Sequence, residues 1–339
     1  MNVQSSRPLT LLLSSFALRT WGARIEEAVP GCTLVLRKAE DAFAADGPCD
    51  AEVAFMTREV TGRSSSNNPT RELREFESVL RNSPRLRWLQ IHPAGAERPI
   101  YGELRARGVK VTTGSGATAV TVAHSTLGAV IALNRRFSLL ADAQRRHAWE
   151  QRWGDLAPRD LKGQCAVIVG LGPIGRNIAA LLKVLGMRVI GVRRSSEAVD
   201  PCDRTISYDR LGEALPQADW LILCCPASAL TRGLANAAAF AAMPTGAHLI
   251  NVARGEVANE RDVVDALASG QLAGAYLDVF EREPLDPVSP LWDMPDVIIS
   301  PHTAGHSQGQ PEAVLGIFLD NLQRWCSGRK LRNDVDDLG

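Results

Sequence analysis

Residues 165–186 read CAVIVGLGPIGRNIAALLKVLG, and the order of events in this stretch decides the fold. Ala166 to Val169 is a short apolar, β-branched run, which predicts a buried strand. Gly170-Leu171-Gly172-Pro173-Ile174-Gly175 follows it directly, and Ile174 to Leu185 then has the periodicity of an amphipathic helix closed by Gly186. A second strand is expected at Arg188 to Val192. Strand, glycine turn, helix and strand in this order make a βαβ unit. Within such a unit each glycine has a separate task. Gly170 permits the tight turn, Gly172 lets a pyrophosphate approach the backbone, and Gly175 lets helix and strand pack closely. Pro173 and Ile174 open the helix, whose unpaired N–H groups and positive dipole end suit phosphate. A bare G-x-G-x-x-G can be only a glycine-rich turn; here the flanking strand and helix point to a bound dinucleotide.

Beyond this stretch, further strands are expected at Trp220 to Cys225, His248 to Val252, Gly274 to Val279 and Val297 to Ser300, with a helix at Glu260 to Ala268. Strands alternating with helices predict a Rossmann-type, doubly wound parallel sheet. Upstream, Leu9 to Leu13, Cys32 to Leu36, Val53 to Met56, Trp88 to Ile91 and Val109 to Thr112 predict a second α/β unit. Thr61 to Thr70 (TGRSSSNNPT) is polar and turn-rich and reads as a mobile loop. Ala117 to Trp149 is helix-compatible and long for a surface helix, as though it bridged domains or met a second subunit. A chain of 339 residues has room for these two lobes.

Composition narrows the class of protein. Hydrophobic residues make up 45% and charged residues 22%, with a formal net charge of zero. That profile fits a globular protein with a large core and gives no general pull toward nucleic acid or an anionic membrane. Seven scattered cysteines form no C-x-x-C pair, so neither a structural metal nor a disulfide framework is expected. Reduced thiols in a cytoplasmic protein are the simpler reading. Arg7 followed by Leu9 to Leu13 looks superficially like a secretion signal. Ser14, Ser15 and Arg19 break the run, and a first core strand followed by a helix fits better.

Where the second strand of the βαβ unit ends, an NAD-binding protein usually carries Asp or Glu for the ribose hydroxyls. Here the residues are Arg193, Arg194 and Ser195. Guanidinium and hydroxyl groups suit the extra 2′-phosphate of NADP, so NADP is favoured over NAD. The alternative is that these are ordinary solvated arginines. Three more elements sit at strand ends: Arg254 in NVARG (251–255), Asp278 and Glu283 in LDVFEREP (277–284), and His302 in SPHTAGH (300–306). In open parallel sheets the ligand crevice lies beyond the carboxyl ends of the strands. A cation, an acid and an imidazole delivered there suit 2-oxo acid reduction. Arg254 can hold a carboxylate and polarise a ketone, while His302 can supply the proton. Taken singly, Arg254 could sit in an ion pair, Glu283 could be a plain loop acid, and any one of six histidines is more often structural.

Together, GLGPIG at 170, NVARG at 251, LDVFEREPL at 277, SPLW at 289 and SPHTAGH at 300 resemble the D-isomer-specific 2-hydroxyacid dehydrogenases over nearly the whole chain. The glyoxylate/hydroxypyruvate reductase-like branch is the most similar. The resemblance implies Arg254, Glu283 and His302 as the catalytic set and Asp278 near the nicotinamide. It further implies that Ala94, Gly95 and Ala96 bind the substrate carboxylate through backbone N–H groups. It also implies a homodimer and a discontinuous, flavodoxin-like substrate domain, residues 1–116 and 305–339, around a dinucleotide-binding domain at 117–304. The expected ligands are then NADP or NAD and a small 2-oxo acid. A formate dehydrogenase would carry glutamine in place of Glu283. A phosphite dehydrogenase shares the same triad, and a cofactor-sensing corepressor would show peptide-binding extensions that are absent here.

Overall fold

A computed structural model of the chain describes residues 7–62, 69–151 and 157–338. It divides into two compact units, Met1–Ala117 with Gln308–Gly339, and Thr118–Ser307. The loop expected at Thr61 to Thr70 falls mostly on residues 63–68, outside the described residues.

The first unit is built on five parallel strands, β1 (Leu9–Leu13), β2 (Leu34–Lys38), β3 (Val53–Met56), β4 (Trp88–Ile91) and β5 (Lys110–Thr112), in the order β2-β1-β3-β4-β5. This is the flavodoxin-like order. The apolar run after Arg7 is thus a central strand, and Leu11, Leu12 and Leu13 are fully buried. Ser14 ends it by accepting a hydrogen bond from the Ala17 N–H at 3.0 Å, capping the helix Ser15–Ala28. β2 starts two residues later than its apolar pattern predicts. It is an edge strand, and Arg37 and Lys38 at its exposed end suit an edge that must not pair further.

The C-terminal helix Gln310–Cys326 completes this unit rather than standing apart. Val314, Leu315, Phe318 and Leu322 share one core with Leu11, Leu13, Phe55 and Trp88. Phe318 stacks on Phe55 at 4.3 Å between ring centroids and on Trp88 at 5.5 Å. Buried Asn321 donates to the Gln90 side chain at 3.2 Å and to the Arg332 carbonyl at 3.0 Å, fixing the register of the tail.

The second unit contains β6 (Cys165–Val169), β7 (Arg188–Arg193), β8 (Arg204–Ser207), β9 (Trp220–Leu223), β10 (Ala247–Asn251), β11 (Leu272–Leu277) and β12 (Val297–Ile299). All are parallel, in the order β12-β11-β10-β9-β6-β7-β8. Both faces are covered. Along β6, Cys165, Val167 and Val169 enter one core while Ala166 and Ile168 enter the other. Burial on both sides explains why β6 reads as a continuous apolar run. The segment 117–149 forms two helices, Ala119–Asn134 and Phe137–Arg145. The break falls at Arg135 and Arg136, where Arg136 adopts a left-handed φ of 51°. The first of these helices is core: Val122, Ala123, Ala129, Val130 and Leu133 pack in the same cluster as Ile178 and Leu182 of the helix Pro173–Val184.

Candidate active site

The chain leaves β6 for β7 on one side and returns to β9 on the other, so the sheet has its switch point between β6 and β9. The glycine loop lies there. Gly170 has φ 104°, and a Cβ on it would sit 2.7 Å from the Cys225 nitrogen, in the loop that follows β9. A Cβ on Gly175 would sit 1.9 Å from the Gly170 carbonyl oxygen, so only glycine lets the helix begin this close to the strand. At Gly172, by contrast, an added Cβ meets nothing within 4 Å. Backbone at a helix N-terminus facing open space is the cradle a pyrophosphate requires. Pro173 occupies the first turn, where its missing N–H costs nothing. The residues present therefore fit a nicotinamide dinucleotide. Arg193 ends the neighbouring strand β7 and is half-buried; Arg194 and Ser195 follow it and are exposed.

The other elements converge at the carboxyl ends of three adjacent strands, β10, β11 and β12. Arg254 follows β10. Asn251, 2% exposed, shapes its turn by accepting from the Ala253 N–H at 3.1 Å and donating to the Arg254 carbonyl at 3.2 Å. The Arg254 guanidinium donates to the Ala253 carbonyl at 2.7 Å, which holds the side chain back along its own loop. Gly255 lets this loop press on the one after β11: a Cβ there would lie 1.9 Å from the Phe280 carbonyl carbon. The loop after β11 carries Glu283, whose Oε1 accepts from the Phe280 N–H at 3.2 Å.

His302 follows β12, and its Nδ1 stands 2.9 Å from Glu283 Oε2. With Glu283 ionised, Nδ1 donates and Nε2 is left for another partner. The hydrogen bond that His302 donates to Glu283 raises the His302 pKa above the ordinary histidine value, against burial and the nearby Arg254 charge. Burial pushes the Glu283 carboxyl up, but the hydrogen bond and charge of His302, the Phe280 N–H and Arg254 together hold it below the usual carboxylate range. Arg254 is thus close enough to act electrostatically on both partners. His302 keeps half of its side chain exposed, so the pair is reachable.

Asp278 is the buried anchor of this group, 4% exposed. Its Oδ1 accepts from Ser300 Oγ at 2.5 Å, the Thr303 N–H at 2.8 Å and the Ala304 N–H at 2.9 Å, while its carbonyl accepts from the His302 N–H at 2.9 Å. Tyr276 reaches the same Ser300 hydroxyl at 2.8 Å. His302 itself has a left-handed φ of 55°. The structure therefore brings Arg254, Asp278, Glu283 and His302 together. Ala94, Gly95 and Ala96 lie in the other unit, in the loop after β4. Asn251, Gly255, Ser300 and Tyr276 were not singled out from sequence, although the first three lie inside motifs that were.

A profile of the NAD-binding domain of the D-isomer specific 2-hydroxyacid dehydrogenases matches residues 127–304. The chain is similar to a crystal structure of a D-isomer specific 2-hydroxyacid dehydrogenase family protein from Aeromonas salmonicida: 30% identity, TM-score 0.77, covering 97% of this chain and 99% of that one. It is also similar to the NADPH-dependent glyoxylate/hydroxypyruvate reductase of Sinorhizobium meliloti, solved with NADP and sulfate: 25% identity, TM-score 0.75, covering 98% and 99%. A glyoxylate reductase from Thermofilum pendens is 32% identical over 72% of this chain and 73% of its own length. Glycine cradle, strand-end constellation and profile match agree, and the chain belongs to the D-isomer specific 2-hydroxyacid dehydrogenases, enzymes that use NAD or NADP.

Proposed function

We propose that this enzyme reduces small 2-oxo acids, of the glyoxylate and hydroxypyruvate kind, to D-2-hydroxy acids, and that it uses NADPH. The observation that carries the reading is the 2.9 Å His302–Glu283 contact beside Arg254 at the ends of neighbouring strands. The bound reduced dinucleotide supplies the hydride. His302 gives the carbonyl oxygen a proton from Nε2, and Glu283 keeps the ring charged through Nδ1 near neutral pH. Arg254 favours the alkoxide-like charge that develops on that oxygen and offers its guanidinium to the substrate carboxylate. Asp278 lies near the nicotinamide and fixes the His302 loop. The N–H groups of Ala94, Gly95 and Ala96 receive the substrate carboxylate; among the described hydrogen bonds none uses them.

The cofactor preference rests on Arg193, Arg194 and Ser195 at the end of β7, where two cations and a hydroxyl replace the expected acid. The relative from Sinorhizobium meliloti, named as NADPH-dependent, supports the same choice. Initial rates with NADPH and NADH against glyoxylate and hydroxypyruvate test the reading, and equal kcat/KM with both cofactors would refute the preference. We take the protein to be a cytoplasmic homodimer. Val120, Phe137 and Leu140, each 44–53% exposed on the helices Ala119–Asn134 and Phe137–Arg145, suit a subunit contact, and light scattering in solution gives the mass.

A further inference from the structure

Tyr276 is the one residue of β11, LAGAYL, whose side chain carries a polar atom. It is 5% exposed and packs with Ile250, Val252 and Ala304, and with Val130 and Leu133 of the helix Ala119–Asn134. A phenylalanine would bury the same ring; the hydroxyl alone brings the cost of taking a polar group out of water. That cost is offset by Ser300, whose Oγ lies 2.8 Å from the Tyr276 hydroxyl.

The protons of this contact have one arrangement. Ser300 has a single hydroxyl proton, and an ionised carboxylate can only accept. With Asp278 ionised, Ser300 donates to its Oδ1 at 2.5 Å, and the Ser300 oxygen accepts from Tyr276. Burial pushes the Tyr276 pKa above the ordinary phenol value, so the hydroxyl keeps its proton throughout the range in which a histidine titrates. The chain from Tyr276 through Ser300 to Asp278 therefore runs one way and ends on a charge, and each donor in such a chain polarises the next.

Ser300 stands where the SPHTAGH segment leaves the sheet. Its N–H donates to the Leu277 carbonyl at 3.0 Å, continuing the β11–β12 ladder, and Pro301 after it has no N–H to give. Two residues beyond Ser300, His302 holds its left-handed φ of 55°. The charged groups that face its ring are Glu283 on the loop after β11, Arg254 on the loop after β10, and Asp278. We infer that Tyr276 is a positioning residue for this imidazole: its hydroxyl keeps Ser300 on Asp278, which fixes the loop that presents His302 to Glu283. The inference rests on the reading of His302 as the proton donor. One neutral hydrogen bond shifts an equilibrium about two- to tenfold, and Tyr276→Phe, which removes only the hydroxyl, lowers kcat for ketone reduction by about that factor. The basic limb of the pH profile also moves to lower pH, because a ring drifting from Glu283 releases its proton sooner as pH rises.

The experiment measures kcat and its pH profile for glyoxylate and hydroxypyruvate with NADPH and NADH, with thermal melts, in the unmodified enzyme, Tyr276→Phe, His302→Ala and the double variant. A loss of about two- to tenfold with the basic limb displaced, and no further loss when Tyr276→Phe is added to His302→Ala, supports the inference. An unchanged kcat or an unmoved basic limb in Tyr276→Phe overturns it and leaves the role of His302 in place. An equal loss in the His302→Ala background assigns the hydroxyl to packing alone and also overturns it. Near-normal turnover in His302→Ala, or no reduction of either acid by the unmodified enzyme, removes the reading beneath and the inference with it. If Tyr276→Phe does not fold, Ser300→Ala cuts the same chain at its middle, and the same outcomes decide.

Discussion

Asp278→Asn is the substitution that most directly tests how the site is held. Three donors converge on Asp278 Oδ1, at 2.5, 2.8 and 2.9 Å, in a position only 4% exposed. Hydrogen bonds to a charged acceptor contribute ~1.5–3 kcal/mol and neutral ones ~0.5–1.5 kcal/mol, so an isosteric amide loses about 1 kcal/mol per bond and about 3 kcal/mol in all. In a domain of ~150–250 residues, 1 kcal/mol moves Tm by roughly 2–4 °C, which puts the expected drop at about 6–12 °C. The functional effect is separate. His302 sits at φ 55°, a left-handed conformation that costs a non-glycine residue about 1–2 kcal/mol and persists only while its loop is tied down. With the ties weakened, the imidazole drifts from Glu283 and kcat falls toward the level of His302→Ala. The assay is kcat for ketone reduction below the melting range, in Asp278→Asn, in His302→Ala and in the double variant. Because Asp278 acts through His302, the double variant should be no slower than His302→Ala alone. Losses that multiply, or an unchanged Tm, would refute the argument.

His302→Ala should reduce turnover ~10²–10⁴-fold with intact folding, since it removes a positioned acid; near-normal reduction would shift attention to His306. Glu283→Gln should move the basic limb of the reduction profile to lower pH. The hydrogen bond to Glu283 raises the His302 pKa, the protonated ring is the active form in the proposed mechanism, and without the carboxylate that proton is lost sooner as pH rises; a profile that stays in place contradicts the assignment. Arg193→Asp should weaken NADPH binding roughly ten- to hundredfold while sparing NADH, as fluorescence titration of the two cofactors would reveal. Gly255→Ala would put a methyl 1.9 Å from the Phe280 carbonyl carbon and should cost about 3 kcal/mol, read as a fall in the denaturant midpoint.

The dinucleotide unit was legible in the sequence because its signals are local. A strand buried on both faces, such as β6, must be apolar throughout, and Gly170 and Gly175 are required by contacts within a few residues or at one neighbouring loop. Strand ends carrying Arg254, Glu283 and His302 were legible for a related reason: a parallel sheet delivers all its carboxyl ends to one side. β8 was not legible. It is the edge strand of its sheet, and Ile206 is its only fully buried residue, so Arg204–Ser207 has no apolar pattern to show. The boundary between the helices Ala119–Asn134 and Phe137–Arg145 was hidden because the break depends on the left-handed φ of Arg136, which carries no composition signal.

Sequence by itself determined the parallel α/β architecture, the glycine turn and which polar side chains follow the strand ends, since periodicity and turn chemistry are written residue by residue. Only the tertiary structure decided how those side chains are held and what surrounds them. Asp278 grips the His302 loop, and Gly255 lets two loops touch. Each of these depends on groups far apart in the chain reaching van der Waals or hydrogen-bond distance, and that closeness is set by the packing of whole strands and helices, which no local pattern records.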